Sequence, residues 1–343
     1  MKDVNLKETN PLFKKGKRSA FPLNIQPMLA TLVDKPFDEE GWVYEVKWDG
    51  YRTLAFLNKG KVDIRSRNNK SFNEKFYPVY NALLEWKVNA VVDGEIIVVT
   101  EKGLSSFGDL QTWRSEADGE LVFYLFDVLW LEGYDLMQLP LTDRKEILRA
   151  IAPDTNLIRL SESFKTGAVE FFDVATKMKL EGIIAKKINS KYIPGFRSKE
   201  WLKIKTEKRQ EMVIGGYTKN ENTSRQFSAL LMGLYDGDDF NFVTPVGTGF
   251  SDKVQTAILQ KLQPFVTTTC PFKTVPEYNK PSRFRPNPPK AEVTWVLPKL
   301  IAEISYAEET KDGAIRHPSF EGLREDKNPK DVTREKEKHT KDV

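Results

Sequence analysis

A lysine amine can act as a nucleophile, and one lysine of this chain lies where a predicted strand would end. Residues 43–57 alternate apolar and polar side chains around an Asp-Gly pair, which predicts a strand, a tight turn and a second strand. Glu45 and Lys47 then share one face of the first strand. Arg52 follows the turn. An ordinary β-hairpin has the same pattern, so the chemistry of this segment depends on the rest of the chain.

Two further lysines indicate an anion-binding site. Residues 201–205 form an apolar strand in which Leu202 and Ile204 face a core. Lys203 and Lys205 then share the opposite face. Two ammonium groups at this spacing repel each other unless an anion lies beside them. The segment is therefore either a solvated surface face or one wall of a phosphate-binding site.

Two carboxylates could complete such a pocket. Glu95 follows a second Asp-Gly pair, which we predict to be a turn within residues 90–100, and Glu181 ends a predicted helix. Each is more typical of a surface residue when taken alone. If they converge on the lysines they would hold Mg²⁺, because this hard ion binds carboxylate and phosphate oxygens. Phe126, in the apolar segment 121–130, is either a core residue or a flat face for a base.

These groups make Lys47 a candidate nucleophile. Its amine must lose a proton before it can attack. Nearby cations such as Lys203 and Lys205 favour the neutral amine, whereas an ionised Glu45 favours the charged form. The sequence alone does not determine which form of the Lys47 amine is favoured.

The composition predicts a globular protein of two domains. The chain has 343 residues, of which 40% are apolar and 30% are charged. It contains no apolar run of the roughly 18 residues that a membrane span needs, and no signal-peptide pattern. Cys270 is the single cysteine, which excludes an intramolecular disulfide and a multi-cysteine zinc site. We expect a cytoplasmic protein without a membrane partner, and the net charge of +4 permits a polyanionic partner.

Residues 21–207 predict an α+β domain with largely antiparallel sheets, because strands and helices mix without a regular βαβ alternation. A predicted strand at 62–67 places Arg65 and Arg67 on one face. A loop that contains Arg197 joins the last two strands of this domain. The other predicted elements are helices around 76–84, 142–151 (with Thr142 as N-cap) and 168–180, and strands at 183–188 and 201–205.

Residues 208–325 predict a second, strand-rich domain of the OB-fold β-barrel type. We expect residues 1–20 to be a flexible basic arm and residues 326–343 to be a charged, disordered tail. The predicted elements of the second domain are a helix capped by Ser251 at 252–262 and short strands at 212–217, 229–235, 240–246 and 300–306.

Taken together, the motifs resemble those of the nucleotidyltransferases that form a lysine-AMP or lysine-GMP adduct. Residues 316–320 and 322–327 look like the last motif of bacterial ATP-dependent DNA ligases. From about residue 21 to 327 the chain is most similar to the ligase domain of the type D enzymes used in end joining. The motifs that precede the last one occur in the family's order: Lys47-Trp48-Asp49-Gly50-Tyr51-Arg52, Ser66-Arg67-Asn68, Asp93-Gly94-Glu95, Phe126-Asp127, Glu181-Gly182 and Trp201-Leu202-Lys203-Ile204-Lys205.

The resemblance implies a fold and a set of roles. The fold would be an ATP-grasp-like ligase core followed by an OB-fold domain. Lys47 would attack the α-phosphate of ATP and carry AMP, with Mg²⁺ or Mn²⁺ as the metal. The other implied roles are adenine recognition by Glu45 and Phe126, nucleotide contacts by Arg52 and Glu95, phosphate binding by Arg67 and Arg197, metal binding by Glu95 and Glu181, α-phosphate neutralisation by Lys203 and Lys205, and pyrophosphate orientation by Arg316 on a mobile domain.

The resemblance also implies a substrate and partners. The expected reaction joins a 5′-phosphate to a 3′-hydroxyl in nicked or broken duplex DNA, through a DNA-adenylate, in repair by end joining. A Ku-like end-binding protein and a polymerase module are expected partners of a monomer near the bacterial nucleoid. The helical DNA-clamping domain of larger ligases and the polymerase and phosphoesterase modules have no counterpart in this sequence. It would be a stand-alone ligase or one module of a longer chain.

Other functions remain as alternatives. An RNA ligase or a capping-type guanylyltransferase shares the lysine motif, and GTP labelling would identify the latter. A catalytically silent OB-fold nucleic-acid-binding protein is a third candidate, although the charged motif residues are all present. An NAD⁺-dependent ligase is not expected, because the cysteines of its zinc finger have no counterpart.

Overall fold

The computed structural model describes residues 11–99, 105, 107–153, 155–221, 223–278, 286–287, 290–310, 313 and 315–343. Its contacts divide the chain into two units. The first contains Met1–Thr206 and Lys336–Val343, and the second contains Glu207–Glu335. Among the described residues, no helix has the length and apolar character that crossing a membrane requires.

The first unit is built from two sheets and their covering helices. Its helices are α1 (Tyr77–Glu85), α2 (Phe107–Thr112), α3 (Leu141–Ile151) and α4 (Ala168–Lys177), with short 3₁₀ segments at Pro11–Lys15 and Glu116–Asp118. Its strands are β1 (Lys17–Arg18), β2 (Leu29–Leu32), β3 (Trp42–Lys47), β4 (Tyr51–Asn58), β5 (Lys61–Ser66), β6 (Ala90–Val99), β7 (Glu120–Leu131), β8 (Tyr134–Asp135), β9 (Ile158–Leu160), β10 (Ser163–Phe164), β11 (Gly182–Lys187) and β12 (Arg197–Lys205).

Most strands of these sheets pair antiparallel. The first sheet has the order β1-β8-β7-β6-β4-β5, and β9 lies parallel beside β7. The second sheet has the order β10-β3-β11-β12-β2, in which only the β12–β2 pair is parallel among the described strands. The expectation of an α+β fold with mostly antiparallel sheets is therefore confirmed.

The predicted hairpin of residues 43–57 is wrong, because β3 and β4 lie in different sheets. Both edges of β3 are already occupied, by β10 on one side and β11 on the other. The chain passes from one sheet to the other at Gly50. A Cβ atom there would lie 2.2 Å from the carbonyl oxygen of Ile96, so the crossing requires glycine. An Asp-Gly pair can therefore mark a crossover between sheets as well as a turn.

The second predicted Asp-Gly turn is also wrong, because β6 runs through Asp93 and Gly94 without interruption. A Cβ at Gly94 would lie 2.5 Å from the carbonyl oxygen of Tyr124 on the neighbouring strand. The glycine permits this close approach, and the pairing of β6 with β7 shifts register at the same point. Thr100, the predicted end of the segment, lies outside the described residues.

The predicted cap of α3 is displaced. The N-cap is Pro140, two residues before Thr142, and the helix begins at Leu141 without a side-chain cap. Thr142 lies in the first turn, where its backbone N–H donates to Ile188. The carbonyl oxygen of Ile188 thus replaces a capping side chain for one free N–H of the first turn.

Three apolar clusters hold the first unit together. One packs α1 and α3 on the first sheet, and another packs α4 on the second sheet. The third includes Val43, Leu54, Phe126 and Trp201, which come from both sheets. Burying each large side chain contributes on the order of 1.5–3 kcal/mol, so this third cluster fixes the distance between the two sheets.

A buried ion pair joins α3 to β7. Arg144 donates to both carboxylate oxygens of Asp127 at 2.8 and 2.9 Å, and both side chains are fully buried. The same guanidinium donates to the carbonyl oxygens of Leu139 and Ser190. These bonds satisfy a charge that could not otherwise be buried.

The second unit is one strand-rich body. Its strands are β13 (Lys208–Asn220), β14 (Ala229–Asp236), β15 (Asp239–Val246), β16 (Val266–Thr267), β17 (Ala291–Val296), β18 (Ile301–Tyr306), β19 (Glu308–Glu309), β20 (Ile315–Arg316) and β21 (Ser319–Arg324). β13 is central, since it pairs with β14, β17 and β18. The helix α5 (Asp252–Leu262) begins as predicted, with the Ser251 hydroxyl accepting from the backbone of Val254 at 3.3 Å.

The end of the chain differs from the disordered tail that its charge predicts. Lys338 forms a parallel bridge with Val33, next to β2 at the edge of the second sheet. The Thr340 hydroxyl and N–H both bind the Asp34 carboxylate at 2.9 Å. An edge strand offers unpaired backbone groups, and these groups order a segment that has few apolar residues.

We predicted a flexible basic arm at residues 1–20, but residues 11–20 contain a 3₁₀ segment and a short strand. Residues 1–10 lie outside the described residues. Phe13, in the following 3₁₀ segment, is 8% exposed and packs in the first core, and β1 pairs with β8. A buried aromatic ring and a short strand pairing therefore anchor this polar stretch.

Candidate active site

Strand register aligns Lys47 with a second lysine across a glycine. In the second sheet Lys47 of β3 pairs with Gly182 of β11, and Gly182 pairs with Lys205 of β12. Paired residues of antiparallel strands share a face, so both amines lie on one face with no side chain between them. The Lys47 amine contacts the carboxylate of Glu181, which is 6% exposed. The Lys47 amine therefore has a carboxylate in contact with it and a further lysine across Gly182.

The next row carries Glu45 and Lys203, which pair with Ile184 from either side. Glu45 is 2% exposed, and its carboxylate binds Lys186 at 2.9 Å and Lys145 at 2.7 Å. The predicted sharing of one face by Glu45 and Lys47, and by Lys203 and Lys205, agrees with this register. A buried carboxylate held by two lysines is a rigid hydrogen-bonding group at the base of the site.

Lys186 lies between two aromatic rings. Its amine is 4.4 Å from the ring centre of Phe126 and 4.3 Å from that of Trp201. Burial lowers the pKa of Lys186 from 10.5 to about 8; the Glu45 carboxylate opposes this shift and the Lys145 ammonium adds to it. The sequence analysis missed Lys186 and Lys145. Alternation along β11 places Lys186 on the same face as Ile184, and this signal could have found it.

The first sheet contributes an arginine held by a carboxylate. Arg52 donates to both oxygens of Asp93 at 2.8 and 2.6 Å, and the Tyr192 hydroxyl donates to the same carboxylate at 2.7 Å. Burial alone would lower the pKa of Arg52, but the adjacent Asp93 raises it above its usual range. Burial and the same carboxylate raise the pKa of Tyr192 well above its ordinary value. At neutral pH the guanidinium is charged and the phenol keeps its proton.

Phe126 joins the groups of the two sheets. The Arg52 guanidinium lies 4.9 Å from the Phe126 ring centre, and Lys186 of the second sheet approaches the same ring. Glu95 is paired with Arg52 in the β4–β6 register. The structure therefore brings an aromatic ring, two cations and a carboxylate together between the sheets, and Lys186 links them to Glu45 in the neighbouring row.

Trp48 holds the crossing that follows Lys47. Its ring stacks on Tyr124 with centres 3.9 Å apart, and its indole N–H donates to the Ser161 hydroxyl at 3.1 Å. Tyr124 is paired with Glu95 across β6 and β7. These contacts fix the backbone on the C-terminal side of the candidate nucleophile.

The two predicted phosphate-binding arginines, Arg67 and Arg197, lie outside the row formed by Lys47, Gly182 and Lys205. Arg67 follows β5 directly, next to the pair formed by Ser66 and Thr53. Arg197 begins β12, where it donates to the carbonyl of Ala30 at 2.7 Å. It precedes Lys203 by six residues, roughly 20 Å of extended strand, and so lies at the opposite end of the sheet.

Arg316 belongs to the second unit. Its guanidinium binds the Glu308 carboxylate at 2.6 Å on the short β19–β20 ribbon, and its side chain is 62% exposed. All the other candidate residues lie in the first unit.

The two predicted metal ligands each face a cation. Glu181 contacts Lys47, and Glu95 is paired with Arg52. Within the described ranges, no group of three or more histidine, cysteine, aspartate or glutamate side chains could hold a metal ion by itself. The chemistry of both residues nevertheless fits Mg²⁺, since this ion is commonly bound by one or two carboxylates together with substrate phosphates.

Two protein-family models match the chain. Residues 27–205 match the family model described as ATP dependent DNA ligase domain, and residues 223–327 match the ATP dependent DNA ligase C terminal region. The first match contains every candidate residue of the site except Arg316, which lies in the second.

Curated relatives of the chain are also DNA end-joining proteins by name. The chain is 36% identical over 323 residues to the multifunctional non-homologous end joining protein LigD of Mycolicibacterium smegmatis, covering 93% of this chain and 41% of that protein. For the LigD of Pseudomonas aeruginosa the identity is 35% over 330 residues, covering 94% and 38%. The chain thus spans about two-fifths of these curated relatives.

A solved structure of a mycobacterial DNA ligase D, complexed with ATP and MES, is 35% identical with a TM-score of 0.65. The match covers 91% of this chain and 99% of that one. The resemblance inferred from the motifs is confirmed, and this chain belongs to the ATP-dependent DNA ligase family.

Proposed function

We propose that this chain uses ATP to seal 5′-phosphate/3′-hydroxyl breaks in duplex DNA, through an AMP adduct of Lys47 and a DNA-adenylate. One observation carries the proposal. The Lys47 amine contacts the Glu181 carboxylate, and Lys47 and Lys205 pair with Gly182 from either side, so two cations share one face next to a carboxylate. The reaction that we assign to this face is the one that the ATP-dependent DNA ligase family is named for.

The first step is attack by Lys47 on the α-phosphorus of ATP. The amine gives up a proton, a nitrogen–phosphorus bond forms, and the bond to the bridging oxygen breaks so that pyrophosphate leaves. Glu181 orients the amine, while Lys203 and Lys205 neutralise the charge that develops on the phosphoryl oxygens. The contribution of the protein is mainly positioning and electrostatic stabilisation.

The nucleotide base would occupy the space between the sheets. Phe126 offers a face for stacking, and Glu45 and Lys186 are the polar groups next to it. Arg52 and Glu95 lie beside that ring and suit the ribose. Arg67, just past β5, suits a phosphate of the nucleotide or of the DNA.

Glu181 and Glu95 are the residues that would hold Mg²⁺ or Mn²⁺. When bound, the ion supplies positive charge to the phosphoryl oxygens and a template for in-line displacement.

The later steps exchange one phosphate bond for another. The 5′-phosphate of the DNA attacks the adenylate, which breaks the nitrogen–phosphorus bond and frees Lys47. The 3′-hydroxyl then attacks the activated 5′-phosphate, so a phosphodiester forms and AMP leaves. Arg197, at the far end of β12, suits a DNA phosphate better than the nucleotide.

The second unit would be an OB-fold domain that closes over ATP and then opens for DNA. Its strand-rich sheet around β13 and the helix α5 support that assignment. Arg316, exposed on the β19–β20 ribbon, would orient pyrophosphate in the closed form.

The biological setting we propose is end joining of broken DNA. Both named LigD relatives are described as non-homologous end joining proteins. By analogy we propose a monomer that works at the bacterial nucleoid with a Ku-like end-binding protein and a polymerase module. An RNA ligase or capping-type guanylyltransferase is less well supported, because residues 223–327 match the C-terminal region of DNA ligases.

A labelling experiment tests the proposal. Incubation with Mg²⁺ and α-labelled ATP should give a covalently labelled protein, and GTP should not. Lys47→Ala should abolish the label, whereas Lys187→Ala, an exposed lysine of neighbouring β11, should keep it. Nicked duplex DNA should discharge the label and be sealed. Absence of label in the wild type, under conditions that fully label a known ligase, would refute the assignment of the nucleophile.

A further inference from the structure

Large apolar side chains are exposed on the loop between β11 and β12. Phe196 is 54% exposed and Ile193 is 43% exposed. Leu23, 80% exposed, belongs to the segment that lies against this loop. Scattered single apolar residues are common on protein surfaces, but neighbouring exposed ones mark an interaction site.

This loop is held in place from both sides. The N–H of Gly195 donates to Gln26 at 3.1 Å, and the N–H of Leu29 donates to Phe196 at 2.8 Å. Tyr192 is fully buried beneath the loop, where its hydroxyl accepts from the Met28 N–H and donates to Asp93. The same Asp93 holds Arg52, so the loop has a defined position relative to the nucleotide groups. An apolar pair on such a support is preorganised for binding.

The surroundings of the loop are basic. Residues 187–199 contain no acidic side chain, and all of their cations are exposed: Lys187, Lys191, Arg197 and Lys199. Arg65 donates to the carbonyl of Leu23 at 2.8 Å at the edge of the patch, where its charge is paired with Asp63 at 2.6 Å. Within residues 187–199, four cations and no carboxylate complement a polyanion such as duplex DNA and disfavour a basic or neutral protein surface.

We infer that Phe196 and Ile193 contact the sugars and base edges of duplex DNA in its minor groove, while Lys191 and Lys199 bind the flanking phosphates. Apolar side chains are the usual minor-groove contacts of DNA-bending proteins, and lysines supply the sequence-independent part of the affinity. This assignment rests on the proposed function and identifies where on the first unit the DNA lies. Arg197, proposed above to bind a DNA phosphate, would then belong to a surface that also makes apolar contacts with the duplex.

Equilibrium binding of a nicked duplex with a dideoxy 3′ end, measured by fluorescence anisotropy on the full chain without ATP, tests the inference. Phe196→Ser should weaken binding about tenfold. Met178→Ser changes a side chain of similar exposure, 47%, at the end of α4 and should bind like the wild type. Equal melting temperatures for the two variants show that the fold is retained.

Salt dependence separates the two kinds of contact. Phe196→Ser should lower the affinity at every salt concentration without changing the slope of log Kd against log salt. Lys199→Gln should reduce that slope by about 0.9, as expected for one lost phosphate contact. Self-adenylation in the absence of DNA should be the same for Phe196→Ser as for the wild type.

Three results would overturn the inference. Phe196→Ser could bind DNA as tightly as the wild type, or it could lose self-adenylation in parallel with DNA binding, which indicates a structural role. It could also abolish self-association in sedimentation while DNA affinity is unchanged, which assigns the patch to a second copy of the chain. If the wild type itself neither labels nor seals, the proposed function fails instead, so the two failures are distinguishable.

Discussion

Lys186→Met should change how the stability of this protein depends on pH. The Lys186 amine is buried between Phe126 and Trp201, and its pKa is lowered to about 8 from 10.5. Below about pH 8 the amine is protonated in both the native and the unfolded chain, so the full cost of burying the charge is present. Above that pH the native amine loses its proton first, and the unfolded chain then binds more protons.

The free energy of unfolding should therefore rise with pH between about 8 and 10.5, the two pKa values of this amine. Integrating the proton-binding difference from about pH 7 to about pH 9.5 gives an increase of about 2 kcal/mol. This contribution disappears in Lys186→Met, because methionine fills a similar volume without a titrating group. Glu45 keeps Lys145 as a partner in that variant.

Urea denaturation at the two pH values measures the effect. Each protein is compared with itself, so any change in absolute stability caused by the substitution cancels. Lys187→Met is the matched control: this lysine is the next residue of β11 and is exposed, so it should behave like the wild type. If the wild type and Lys186→Met gain the same stability between the two pH values, the burial argument for Lys186 is refuted.

Three other substitutions have defined outcomes. Asp127→Asn should lower the free energy of unfolding in urea by about 3–5 kcal/mol, because it leaves the buried Arg144 charge without its partner. Gly50→Ala should reduce self-adenylation on the order of a hundredfold, since its Cβ meets a carbonyl oxygen and must displace the backbone next to Lys47. Arg316→Ala should impair self-adenylation far more than the sealing of pre-adenylated nicks.

Each of these has a matched control. Asp143→Asn removes only a partly exposed ion pair with Lys15 and should cost less than about 1 kcal/mol. Gly108→Ala, on α2, meets no atom within 4 Å and should leave labelling unchanged. Arg225→Ala, an exposed arginine of the second unit, should affect neither reaction. Equal losses in variant and control, or equal losses in both steps for Arg316→Ala, would contradict the corresponding argument.

The sequence predicted what depends on neighbouring residues. Side chains alternate along any strand, so the shared faces of Glu45 with Lys47 and of Lys203 with Lys205 followed from local pattern alone. The cap of α5 is local in the same way. The motifs then supplied the family, because their order along the chain is visible without a structure.

What the sequence could not predict is which strands pair. The hairpin at Gly50 failed because β10 and β11, far away in the chain, occupy the edges of β3. Lys186 was missed because its burial depends on rings from other strands. Each failure concerns distance in space between residues distant in sequence.

The bridge between Val33 and the end of the chain has a consequence for biosynthesis. Contacts of this kind span 305 residues, as in the bond between Lys35 and Thr340. A ribosome delivers the N-terminal residues first, so β2 must wait for the synthesis of the intervening residues before its outer side is covered. We therefore expect the closure of this edge to be a late folding event, with β2 exposed to other chains until residues 336–343 have been made.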